Sequence, residues 1–190
     1  MSKARYFRLK EDKQSVNWYL GDPLDETGQE VEDPYAFRAG RPVSVKGRLT
    51  IPVDEPGRRL EYCTAGLGMA PIVHVRVASL FTELAPNDVQ LIPVDVQGQP
   101  DQYLILVATK LIRCIDDAAS EEVRFWLPEH GQPERVGDYK SVSGLRIDPT
   151  KVGDAKVFRT RGWNLALIVS EDIKQALERA RVTGAQFTEV

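Results

Sequence analysis

Two cysteines and two histidines are the scarcest reactive side chains in this chain of 190 residues. Cys63 precedes His74 by eleven positions. A thiolate activated by an imidazole needs only that the two meet in space, so many folds could assemble the pair. The plainer alternative makes Cys114, inside the apolar run Leu111–Ile115, a small buried hydrophobe and leaves Cys63 as a loop thiol. No serine occupies a G-x-S-x-G elbow, and the nearest string, Ser141-Val142-Ser143-Gly144, lacks the first glycine. A zinc site needs three or four converging His, Cys or carboxylate ligands. Here neither the two histidines nor the two cysteines fall at short ligand spacing. His74 alternates with Val73 and Val75 as a strand residue would, and His130 in Pro128-Glu129-His130-Gly131 reads as an exposed turn. Asp116 with Asp117, and Glu121 with Glu122, have the chemistry to hold Mg²⁺ or to act as paired carboxylates. Gly66-Leu67-Gly68 lacks the third glycine and the helix of a dinucleotide fingerprint and reads as a turn. The expectation is therefore no catalytic residue, no metal and no cofactor. An enzyme or small-ligand site around Cys63, His74 and the Asp116–Glu122 acids remains the alternative.

Charge gives sharper signals. Asp22, Asp25, Glu26, Glu30, Glu32 and Asp33 place six negative charges and no positive one across positions 22–33. Such a loop either stays solvated and mobile or steers a basic partner and raises its association rate. Arg146, Lys151, Lys156, Arg159 and Arg161, against Asp148 and Asp154, form a basic stretch with Phe158 and Trp163 nearby. Cations interleaved with aromatics can hold phosphates and stack bases. The alternation Lys156-Val157-Phe158-Arg159 fits the outer face of an exposed strand equally well.

These groups need a scaffold, and the composition provides for one. Hydrophobic residues make up 42% and charged residues 28%, so the chain reads as one globular domain over residues 1–190. The net charge of −3 disfavours a general nucleic-acid binder. No apolar run approaches the roughly 18 residues of a membrane span, and no apolar leader follows the N-terminus. A cytoplasmic protein is the expectation. Val77, Leu80, Phe81 and Leu84, then Ile173, Ala176, Leu177 and Ala180, fall at i, i+3, i+4 and i+7, which predicts amphipathic helices over about 76–85 and 171–181. Pro86 ends the first; Ser170 suits the N-cap and Gly184 the exit of the second. Strand-like runs flank both helices, at Ile72–Val75 and Val89–Val96, and at Leu165–Val169 and Ala185–Val190, so two parallel crossovers are open. Further strands are expected at Arg5–Leu9, Val16–Leu20, Val43–Ile51, Tyr103–Ala108, Leu111–Ile115, Val123–Leu127, Tyr139–Ile147 and Lys156–Thr160. Strands outnumber helices without regular alternation, which gives α+β with a largely antiparallel or mixed sheet.

The string Ser143-Gly144-Leu145-Arg146-Ile147-Asp148-Pro149, continued by Lys151, Gly153, Phe158, Arg159, Trp163 and Ile168-Val169-Ser170, resembles a bacterial immunity-protein domain family of myxobacterial type. Ile173, Ala176, Leu177, Thr183-Gly184-Ala185 and Phe187 fit the same pattern. So do Tyr6-Phe7, Trp18 with Leu20-Gly21, the acidic loop to Pro34, Phe37 with Gly40-Arg41-Pro42, and Ile112-Arg113-Cys114-Ile115-Asp116 upstream, so that the resemblance runs over almost the whole chain. The resemblance implies a polymorphic toxin system, in which a non-enzymatic cytoplasmic protein binds and neutralises a cognate toxin. It carries over no catalytic residue. On that reading the expected contact residues are the six loop acids, with Tyr35 and Phe37 as aromatic anchors.

Overall fold

The computed structural model describes residues 3–190. The chain runs β1 (Tyr6–Glu11), β2 (Tyr19–Leu20), β3 (Leu49–Ile51), β4 (Val53–Glu55), β5 (Tyr62–Ala65), β6 (Ala70–His74), α1 (Val75–Leu84), β7 (Val89–Val96), β8 (Tyr103–Ala108) and β9 (Leu111–Ile112). It continues through β10 (Glu122–Phe125), β11 (Tyr139–Ser143), β12 (Val157–Thr160), β13 (Leu167–Ser170), α2 (Glu171–Arg179) and β14 (Ala185–Glu189). A seven-stranded sheet has the order β3-β7-β8-β6-β5-β2-β4, and a five-stranded sheet the order β14-β1-β13-β12-β9. Strands β10 and β11 form a separate ribbon. The fold is α+β with mixed sheets.

Both expected helices form, and both connect parallel strands. The inserted strand between them is new. β6 and β7 each pair antiparallel with β8, so α1 crosses over a strand that lies between its two flanking strands. β13 and β14 each pair antiparallel with β1, and α2 makes the same crossover. The two units repeat in sequence as well: Ile72, Val73, Val77 and Phe81 of the first correspond to Ile168, Val169, Ile173 and Leu177 of the second. His74 and Ser170 occupy the equivalent N-cap positions.

Alternation along each strand sorts the core into layers. Leu106 and Ala108 of β8, Val73 of β6, Phe7 and Leu9 of β1, and Leu167 and Val169 of β13 face Val77, Phe81, Ile173 and Leu177 of the helix pair. The opposite face of the large sheet, with Leu20, Ile72, Tyr103, Ile105 and Val107, is covered by Trp18 and Phe37. The opposite face of the small sheet, with Tyr6, Phe158 and Ile168, packs against Tyr139 and Val142 of the ribbon. Strands buried on both faces read as continuous apolar runs, which is why Leu104–Ala108 and Leu167–Val169 show no polar alternation.

Polar ties join the layers. Arg76 of α1 donates to both carboxylate oxygens of Glu61 (2.8 and 2.7 Å) and to the Ala180 carbonyl at the end of α2 (2.9 Å), a favourable place for a cation. Asp88 is buried at 4% exposure. It accepts from the backbone N–H of Lys156 (2.7 Å) and Val157 (3.2 Å) and from Lys110 Nζ (2.7 Å), linking the start of β7 to β12.

Several expectations need correction. Val43–Ile51 is a strand only from Leu49, because the Val43 N–H and C=O bond the Gln90 side chain and Gly47 turns the backbone at φ +68°. Val16–Leu20, Leu111–Ile115 and Tyr139–Ile147 shorten in the same way to β2, β9 and β11. Gly184 does not end α2, since Arg181 already takes the left-handed conformation. Gly184 instead lets the chain approach β5, where a Cβ would collide with the Tyr62 carbonyl oxygen. Ser170 bonds the Asp172 side chain rather than a backbone N–H of α2.

Replacing Asp88 by Ala strands two buried N–H groups and the ammonium of Lys110. Unfolding in denaturant is expected to show a loss of about 2–4 kcal/mol, against under 0.5 kcal/mol for the exposed Glu32→Ala.

Candidate functional site

The acidic loop is an ordered structure. Asp25 Oδ1 accepts from the Thr27 N–H (2.8 Å), the Thr27 hydroxyl (2.6 Å) and the Gln29 N–H (3.1 Å), closing a tight turn in which Gly28 sits at φ +82°. Those bonds hold the Asp25 carboxyl below its ordinary value of 3.8, the Thr27 hydroxyl first and the Gln29 N–H second. The turn is therefore fully stabilised above about pH 4 and loosens as the pH falls through the depressed native value. Leu24 exchanges both backbone hydrogen bonds with Thr50 (2.8 and 2.9 Å), which ties the loop to β3. Asp33 Oδ1 caps the short 3-10 turn Pro34–Arg38 through the Tyr35 N–H (3.0 Å). Glu26, Glu30 and Glu32 are exposed.

The loop is clamped against the β5–β6 hairpin by two glycines. A Cβ on Gly66 would collide with Asp22 Oδ1, and one on Gly68 with the Pro34 carbonyl oxygen. Asp22 accepts from the Gly68 N–H at 3.4 Å. Gly66-Leu67-Gly68 is thus a turn, as expected, and its glycines let both ends of the acidic loop come close. The same turn carries Leu67 out into solvent at 74% exposure. Beside it stands Tyr19 of β2, at 51%. Tyr19, Leu67, Asp22, Leu24, Glu30 and Asp54 line a shallow cavity of about 250 Å³. Two exposed apolar side chains and three carboxylates thus line one cavity.

The two aromatic anchors divide. Tyr35 is exposed, with the Arg38 guanidinium 4.8 Å above its ring. Phe37 is 3% exposed and belongs to the core beside Trp18 and Leu20, so it positions the 3-10 turn and cannot meet a partner. Tyr19, Leu67 and Asp54 escaped the sequence reading. Their signals were an aromatic residue out of phase with Trp18 and Leu20, and a leucine flanked by glycines at a turn tip.

Of the other chemical candidates, Cys63 and His74 share one face of the β5–β6 pair but bond other partners, and the Asp116–Glu122 acids lie apart from them. Cys63 is buried, its thiol pushed well above the ordinary range by that burial, and its Sγ donates to the Ile72 carbonyl (3.9 Å). His74 accepts from the Arg76 N–H at Nδ1 (3.1 Å), faces Asp101 at 3.6 Å and stands edge-on to Tyr103. Asp116 accepts from the Ala118 and Ala119 N–H groups, Asp117 from the Tyr139 hydroxyl, and Glu122 pairs with Arg124, all beside the ribbon and the small sheet. Cys114 is fully buried and its thiol raised to about 11, again by burial. The basic stretch breaks up too: Phe158 is core, Lys156 pairs with Asp172 (2.6 Å) and Arg159 is buried. Among the described residues no helix is long and apolar enough to cross a membrane.

Gly68→Ala forces the loop off the hairpin, so limited proteolysis is expected to cut within 22–33 several times faster than in the parent protein. A thiol reagent at pH 7 is expected to leave Cys63 and Cys114 unmodified in the native state and to label both in denaturant; fast native labelling of Cys63 would revive a nucleophile.

A family model described as Immunity protein family (Imm11) matches residues 52–190. The match spans the chain from just before β4 to its C-terminus, taking in Asp54, the β5–β6 turn and both helix crossovers, while Tyr19 and the acidic loop precede it. No curated protein gives a significant match. With most of its length inside that match, the chain belongs to the Imm11 immunity protein family.

Proposed function

We propose that the chain, acting as one domain over residues 1–190, is a non-enzymatic immunity protein that binds and neutralises a cognate toxin in the cytoplasm. The toxin-binding face is the acidic loop together with the hairpin tip. One observation carries the assignment: Tyr19 and Leu67 stand exposed around a shallow cavity rimmed by Asp22, Glu30 and Asp54. The loop behind them is fixed by Asp25, Asp33 and the two hairpin glycines. A preorganised loop loses little conformational entropy on binding. The apolar pair provides desolvated contact at the centre, and the outward carboxylates Glu26, Glu30 and Glu32 steer a toxin with a basic surface. A standard interface buries about 800 Å² on each partner, enough to occlude a toxin's active site.

Within the face the roles differ. Leu67 and Asp54 lie in the span shared with the family, and the loop lies outside it. The shared hairpin tip then makes the common contact, and the loop acids, with Tyr35 at their end, select the toxin.

The test is a native pull-down from the source cell with this chain as bait, repeated with variants. The parent protein is expected to recover one stoichiometric partner carrying a toxin domain, with association slowing as salt rises. Tyr19→Ala and Leu67→Ala are each expected to weaken that complex roughly 30-fold. Reversing Glu26, Glu30, Glu32 and Asp54 to Lys together should abolish the salt-sensitive rate. Unchanged inhibition and unchanged salt dependence in that fourfold variant would mean that the toxin binds elsewhere than the acidic face.

A further inference from the structure

Arg159 does not fit its surroundings. On β12 it lies opposite Leu167 of β13, which in turn lies opposite Leu9 of β1. Alternation therefore aims it, with Leu9 and Leu167, into the layer between the two sheets. It is 3% exposed. Its Nη1 makes two long contacts, 3.4 Å each, to the carbonyls of Asn164 and Leu165. Its Nε and Nη2 have no hydrogen-bond partner among the described residues. Burial, opposed by Tyr62 and reinforced by Arg38 and Arg8, lowers its pKa to about 10. A buried guanidinium surrounded by other cations is costly unless an anion completes it.

Arg159 lines a cavity of about 530 Å³, together with Leu9, Leu167, Tyr62 and Thr64. Arg8, Arg38, Lys10 and Lys13 also line it. Against these five cations its wall carries two acids, Glu11, which accepts from the Thr64 N–H (3.0 Å) and hydroxyl (2.6 Å), and Asp12, which accepts from Gln14 (3.0 Å). The cationic excess therefore faces the cavity. Arg8 has its own buried, unpartnered Nε and rests 5.1 Å from the Trp163 ring. Arg38 and Leu165 are shared with a second cavity of about 590 Å³, which Trp126, Trp163 and Arg161 also line.

We propose that the cavity between the sheets is a nucleotide-binding site, in which the Nε–Nη2 edge of Arg159, with Arg38, holds the phosphate and the second cavity, which Arg38 shares and Trp163 lines, receives the base. The free Nε–Nη2 edge is the two-pronged geometry that recognises phosphate oxygens. The guanidinium groups of Arg159 and Arg38 suit a phosphate dianion better than a single carboxylate. The volume suits a small molecule, and the indole of Trp163 in the adjoining cavity gives a flat base a stacking partner. The site is independent of the toxin-binding face, and its failure would leave that face as argued.

The test uses thermal unfolding and tryptophan fluorescence of the full chain with AMP, inorganic phosphate and adenosine, each at constant ionic strength against chloride. AMP is expected to raise Tm by roughly 5 °C near a hundredfold excess over its Kd. Phosphate should raise it less, adenosine should leave it unchanged, and AMP alone should change the tryptophan emission. Arg159→Gln should abolish the AMP response, and so should the half-exposed Arg38→Gln, which keeps the test open if the core variant fails to fold. Arg159→Met without ligand is expected to raise Tm by about 2–4 °C, because a merely structural arginine would lower it on removal. No shift with AMP or phosphate, or equal shifts in the parent and Arg38→Gln proteins, would overturn the proposal. Binding of AMP no tighter than inorganic phosphate would overturn its nucleotide part.

Discussion

Both faces of both sheets are covered, and much else in the molecule follows from that constraint. The helix pair fills the space between the sheets, the irregular first sixty residues cover the far face of the large sheet, and the β10–β11 ribbon covers the far face of the small one. The acidic loop and the hairpin turn beside it are fixed from beneath. The acidic loop sits over Phe37 and Trp18, and the hairpin that bears Leu67 extends from β5 and β6, whose inner residues are fully buried. On the proposed reading a partner would meet this surface in one conformation, which favours tight, stoichiometric association over loose electrostatic contact.

The same constraint makes the few buried polar groups informative. Asp88 is satisfied by two backbone N–H groups and Lys110, and it reads as a structural tie between the sheets. Arg159 occupies the same interlayer, beyond the reach of the helices, and is left with two unpartnered nitrogens. One group completes the fold and the other awaits something outside it. The contrast lies in their partners, since both are almost fully buried. The acidic face and the cationic cavity are also joined in space: Glu11, Lys13, Gln14 and Met69 line both the interlayer cavity and the cleft that reaches Tyr19.

Local pattern made much of the fold legible and the site only half so. The 3.6-residue period of Val77, Leu80, Phe81 and Leu84 fixed the first helix, and Ile173, Ala176 and Leu177 fixed the second. The inserted strands were expected at Arg5–Leu9 and Tyr103–Ala108, but not their places inside the crossovers; for β1 no local signal could give it, because β1 reaches β13 and β14 from the other end of the chain. Alternation in Lys156–Arg159 showed which residues share a face but not whether that face is wet, so Arg159 looked like an exposed strand residue. Phe37 looked like an anchor because aromatics near turns often are; its burial depends on the sheet beneath it. The six acids were plain in the sequence, yet Asp25 and Asp33 also build the turns that hold the others outward.

Whether the acidic loop and the hairpin tip form the toxin contact is best decided by hydrogen–deuterium exchange of the protein, alone and in complex with the partner it captures, because exchange maps the contact without altering a residue. Slowed exchange confined to residues 19–33 and the β5–β6 turn around Leu67 is expected. Protection over α2 and β14, with the acidic loop exchanging as in the free protein, would place the contact on the opposite side and refute that assignment.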